Sequence, residues 1–80
     1  RDFITYNLAS LHYSDNDFTP AIELYSQLVK KEHRLAPEIN FRIGHSYVLI
    51  GNDDVGCEYI RASEKQRFHR ALSTRSRMCK

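Results

Sequence analysis

Four pairs of residues in this chain stand 35 positions apart, and each pair is matched in size. Leu8 answers to Ile43, Ala9 to Gly44, Ala21 to Gly56 and Tyr25 to Ile60. A constant offset that sets small residues against small ones and large apolar residues against large ones marks stacked helix-turn-helix units, because one such unit cannot bury its apolar side alone. Small residues belong where the two helices of a hairpin cross closely, and bulky ones fill the space beside them. The 80 residues hold two units, and the stretches "YNLASLHYSDND" at 6–17 and "FRIGHSYVLIGNDD" at 41–54 are their most similar parts.

Apolar residues recur at intervals of three and four, the helical period. They are Phe3, Ile4, Leu8 and Leu11, then Ala21, Ile22, Tyr25, Leu28 and Val29. Next come Ile39, Ile43, Tyr47 and Ile50, and finally Val55, Tyr59 and Ile60. Strict alternation over strand length is absent. The breaks fall where helices start or stop. Thr19-Pro20 reads as a cap followed by a proline in the first turn, and Ala36-Pro37-Glu38 repeats the device with an acid near the positive end of the helix dipole. Gly51-Asn52-Asp53-Asp54 supplies a turn and a capping Asp, and "SDND" at 14–17 does the same without glycine. The pattern predicts four helices over about 2–14, 19–33, 37–50 and 54–64 or beyond.

These residues resemble the tetratricopeptide repeat, a two-helix unit of about 34 residues. Leu8-Ala9 and Ile43-Gly44 stand where that family has Leu-Gly, and Tyr47 where it has a tyrosine. Ala21 and Gly56 take the place of its helix-crossing alanine, and Tyr25 that of its later aromatic. Thr5 and Asn40 replace the tryptophan, His12 the first tyrosine, and Asp53 sits where Phe18 predicts an aromatic, so the second unit is a degenerate copy. The resemblance implies an all-α fold of two stacked antiparallel hairpins, about 2–35 and 37–64 within residues 1–64. A basic capping helix or a basic tail at 65–80 would follow.

Tetratricopeptide folds are similar in use: they are non-enzymatic adaptors whose first helices line a groove that takes a peptide or helix of another protein. Carried onto this chain, the groove places are Phe3, Tyr6, Asn7, Ser10 and Tyr13, then Phe41, Arg42, His45 and Val48. Tyrosine and arginine are enriched at binding hot spots. Repeats that clamp the C-terminal carboxylates of chaperones present Lys and Asn, where this chain offers Tyr6, Ser10 and Arg42. Only Arg42 is suited to hold a carboxylate. The alternative reading is structural, with open repeat ends stacking into a homo-oligomer.

Apolar residues make up 41% and charged residues 28%, an ordinary globular balance. The longest apolar run, "YVLI" at 47–50, is far short of a membrane span. The net charge of +2 is unevenly spread. Residues 65–80 carry Lys65, Arg67, Arg70, Arg75, Arg77 and Lys80 without an acid, which suits an acidic partner, anionic lipid or nucleic acid. Phe68 is the lone aromatic of that segment and no groove-reading module accompanies it, so nucleic acid is disfavoured. His12, His33, His45 and His69 are dispersed, no Cys-x-x-Cys exists, and no phosphate loop, nucleophile elbow or suitably spaced carboxylate pair is present. The expectation is a non-enzyme without cofactor or metal. Cys57 reads as a small buried hydrophobe and Cys79 as an exposed thiol, in a reducing, intracellular, cytoplasmic setting. "RDFITY" has neither an initiator Met nor a secretory layout, and reads as the start of a piece of something longer.

Overall fold

The computed structural model describes residues 2–30 and 35–65 together with Cys79. Its helices are α1 (Asp2–Ser14), α2 (Phe18–Val29), α3 (Ala36–Leu49) and α4 (Asp53–Lys65), with no strand among the described residues. The fold is all-α. α1 pairs with α2 and α3 with α4, while α2 also packs on α3, so the hairpins lie side by side. Among the described residues no helix is long and apolar enough to cross a membrane.

Both hairpins turn by the same device. After α1, the Asp17 N–H donates to the His12 carbonyl at 2.8 Å and the Asn16 N–H to the Tyr13 carbonyl at 3.2 Å, with Asn16 in the left-handed region at φ 61°. After α3, the Asn52 N–H donates to the Tyr47 carbonyl at 2.8 Å and the Gly51 N–H to the Val48 carbonyl at 3.0 Å, with Gly51 at φ 96°. These are Schellman closures, which satisfy the last helical carbonyls and need a residue that tolerates positive φ. Every member of the second lies 35 positions after its counterpart in the first. The repeat is therefore present in the backbone as well as in the side chains.

That closure also corrects the expected helix starts. Each turn leaves a single residue before the next helix, so α2 begins at Phe18 with Asp17 flanking it, and Thr19 falls inside the first turn instead of capping it. Asp17 makes no side-chain cap bond. Asp53 and Asp54 both lie in the first turn of α4, where they meet the positive end of its dipole, instead of one of them capping it. α3 opens as expected at Ala36 and Pro37 with Glu38 in its first turn, and Leu35 flanks it. α2 ends at Val29 with Lys30 as its C-cap, and the expected end at 33 falls among residues 31–34, outside the described set.

Small residues sit at the crossings. Ala9 and Ala21 are fully buried in the first hairpin, within a core of Ile22, Tyr25, Leu28, Ile39 and Ile43. In the second hairpin a methyl group on Gly44 would lie 2.5 Å from the Gly56 carbonyl oxygen, and one on Gly56 2.6 Å from the Gly44 carbonyl oxygen. Backbone meets backbone there, so no side chain fits. The buried hydroxyls of Ser46 and Ser63 are satisfied within their own helices, donating to the carbonyls of Arg42 at 2.7 Å and Ile60 at 2.8 Å. Tyr47 stacks on Tyr59 across the same hairpin at 5.8 Å.

Two expectations are overturned. The stripe Ile4, Leu8 and Leu11 is largely exposed, because α2 and α3 cover other sides of α1 and no described helix lies on this one. Leu8 is thus not a packing residue in the way that its counterpart Ile43, fully buried, is. The cysteines, in turn, are not free thiols: Cys57 and Cys79 form a disulfide with their Cα atoms 5.6 Å apart. A sequence separation of 22 hid this pairing, which places Cys79 beside Phe41 and Ile60 in a second core. Cys79 is 7% exposed, so it is neither a surface group nor incidental. Disulfides persist in oxidising surroundings, and the bond removes the premise on which a reducing compartment was expected.

Candidate functional site on α1 and α3

The side of α1 that faces α3 is joined to it by polar and aromatic side chains. Tyr6 donates its hydroxyl hydrogen bond to Glu38, Tyr13 is hydrogen-bonded to His45 Nδ1 at 2.7 Å, and Arg42 Nη1 donates to Ser10 Oγ at 3.1 Å. Each of these contacts spans 32 positions, one helical turn short of the 35-residue repeat. Two helices lying side by side meet with such a stagger, so the residues that touch are not the residues that correspond.

Arg42 is the centre of the cluster. Its Nη1 also donates to the Tyr25 hydroxyl at 2.7 Å, and its Nη2 lies 3.3 Å from Glu38 Oε1, one turn earlier on α3. Since the guanidinium donates to both hydroxyls, the 2.8 Å bond between Ser10 and Tyr25 closes a three-membered ring of hydrogen bonds. The Tyr13, Tyr6 and Tyr25 rings stand 5.1, 5.9 and 5.9 Å from the guanidinium carbon, within range of cation–π attraction. Burial opposes the charge on Arg42, but the hydrogen bond to Tyr25 and the fields of Tyr25, Glu38 and Tyr6 outweigh it, so its pKa stands above the ordinary value. Its Nε is buried without an acceptor. For Tyr6 burial acts in the other direction: it disfavours the phenolate and, with the bond to Glu38, raises the pKa.

Of the expected groove residues, Tyr6, Ser10, Tyr13, Arg42 and His45 are brought together, half-buried and mutually bonded. Phe3 and Asn7 are exposed and lie outside this cluster, Asn7 lining a depression with Ile4, Leu8 and Leu11 instead. Phe41 is different: at 2% exposure it lies in the second core against Cys57, Ile60 and Cys79, stacking on His45 at 5.8 Å, so it offers no free surface. Its place on α3 corresponds to that of Tyr6 on α1, and packing against Cys57, Ile60 and Cys79 sets the two apart. Glu38 and Tyr25 belong to the site although the sequence marked them for a helix start and for the core. A search at a separation of 32 for donors facing acceptors would have found Glu38. Of the basic tail, Lys65 is the exposed last residue of α4, while Arg67, Arg70, Arg75 and Arg77 lie outside the described residues.

Elsewhere, Asn40, Glu58, Tyr59 and Ala62 line an open depression of about 240 Å³ between α3 and α4. Among the described residues no three His, Cys, Asp or Glu side chains are grouped to hold a metal. No protein-family model, curated protein or solved structure matches the chain.

Proposed function

We propose that the chain is a non-enzymatic protein-interaction module of tetratricopeptide-like hairpins, which takes a peptide or helix of a partner protein on the face shared by α1 and α3. The observation that carries this reading is the fixed position of Arg42, held among three tyrosine rings and bonded to Ser10, Tyr25 and Glu38. Side chains already locked by neighbours lose little entropy when a partner arrives, and Tyr and Arg in such settings carry much of the energy of known interfaces. A partner carboxylate or carbonyl group near Arg42, with an apolar side chain against Tyr6 and Tyr13, suits these groups best.

The test is selection of a random peptide display library on the immobilised chain, followed by titration of the enriched peptides. Tyr6→Ala and Arg42→Gln should each weaken binding by about tenfold or more, as hot-spot truncations do. Affinities unchanged in both variants would contradict the reading.

A further inference from the structure

The outward side of α1 carries Phe3, Ile4, Leu8 and Leu11 at 73, 70, 45 and 63% exposure. Ile4, Leu8 and Leu11 follow the i, i+4, i+7 spacing of one helix face, and with Asn7 they line a shallow depression of about 350 Å³. Together the four apolar side chains expose on the order of 400 Å², a size at which a patch on a small protein is often functional. None of the lining residues is charged.

The internal repeat shows what such a face receives. Thirty-five positions on, Ile39, Ile43 and Ser46 hold on α3 the places of Ile4, Leu8 and Leu11, and all three are fully buried. Besides α4, α3 packs on α2, and Ile39 and Ile43 share a core with Ile22, Tyr25 and Leu28 of that helix. The face on α1 is at least as apolar as the one on α3, and no described helix lies on it. On α4, Cys57 and Ile60 are already packed with Phe41 and Cys79, so among the described residues these two are not free to receive α1 of a second copy in head-to-tail stacking.

We propose that the outward stripe of α1 is a docking site for an amphipathic helix of a partner polypeptide. That helix would carry bulky apolar or aromatic side chains at the spacing of Ile22, Tyr25 and Leu28 and no charge on its contacting face. Docking of this kind is read by a few anchors along one helical stripe. It uses a different side of α1 from the face that holds Arg42, and stands or falls separately.

The test uses a fluorescein-labelled synthetic peptide with the sequence of residues 17–30, a helix of the required kind, titrated with the full 80-residue chain and followed by anisotropy. A short helix is marginal in water, so saturable binding with Kd in the range of roughly 10–500 µM is expected. Ile4→Lys and Leu11→Lys change exposed positions and leave the fold intact, and each should weaken binding at least about tenfold. Leu28→Asp in the peptide should abolish binding, and Arg61→Gln in the chain, at an exposed position on α4, should leave the affinity unchanged. Absence of saturable binding at millimolar chain, or binding that survives Ile4→Lys, would overturn the proposal. So would a concentration-dependent dimer in sedimentation that Ile4→Lys dissolves, since the stripe would then belong to a second copy.

Discussion

Gly44 and Gly56 approach so closely that either residue's missing methyl group would fall within 2.6 Å of the other's carbonyl oxygen. Glycine inside a helix costs about 1 kcal/mol relative to alanine, so the pair weakens α3 and α4 taken singly. The contact it allows offsets that cost, because Ile60 and Val48 close over the crossing on either side. Gly44→Ala should therefore destabilise by about 1–3 kcal/mol, the range for forcing atoms into a filled core, despite the gain in helix propensity. A shift of the urea midpoint with an unchanged slope would measure it. An increase in stability would mean that the helices do not touch there.

The disulfide makes a second expectation. Closing the chain between Cys57 and Cys79 removes unfolded-state entropy worth about 3 kcal/mol for a loop of this length. Reduction with dithiothreitol, or Cys79→Ser, should lower the urea midpoint accordingly and loosen the packing around Phe41. The intact mass without reductant should be that of the bonded form. Identical midpoints with and without reductant would contradict the role assigned to Cys79.

Arg42 and Tyr25 should be energetically coupled. Tyr25→Phe takes one acceptor from the guanidinium and should cost about 1 kcal/mol, and Arg42→Gln about 1–3 kcal/mol. Because the two share one bond, the double variant should lose less than the sum, by about 0.5 kcal/mol or more. Strict additivity would show that the bond contributes nothing.

Tyr6 supplies a pH dependence. Its pKa is raised in the folded chain by burial and by the bond to Glu38, so the folded state favours the protonated phenol. The stability this contributes is fully present below the unfolded tyrosine value of about 10, and is lost as pH rises through the higher folded value. Tyr6→Phe should flatten that part of the stability curve above about pH 10. Superimposable curves for parent and variant would remove the effect.

Much of this architecture was legible because the punctuation is local. α1 ends at Ser14 as expected, since "SDND" carries both an Asn suited to positive φ and the residue that flanks the next helix. The same reasoning misplaced the cap at Thr19, because a residue type that can cap does so only when the turn before it leaves room. Phe41 and the cysteines were misjudged for one cause: the return of Cys79 to α4 is a long-range contact with no periodic trace in the sequence. Glu38 was missed because correspondence runs at 35 while contact runs at 32. Leu8 and Leu11 show the converse error, since an apolar stripe tells that a face wants a partner and not that it has one.

The Arg42 face and the open stripe of α1 both depend on two equivalent hairpins, each crossing at its small residues. A nuclear Overhauser spectrum of the isotope-labelled chain reports that geometry directly. The account predicts cross-peaks between the α-protons of Gly44 and Gly56 and between the methyl groups of Ala9 and Ala21, alongside helical shifts for α1 to α4. Helical shifts with neither set of cross-peaks would contradict it.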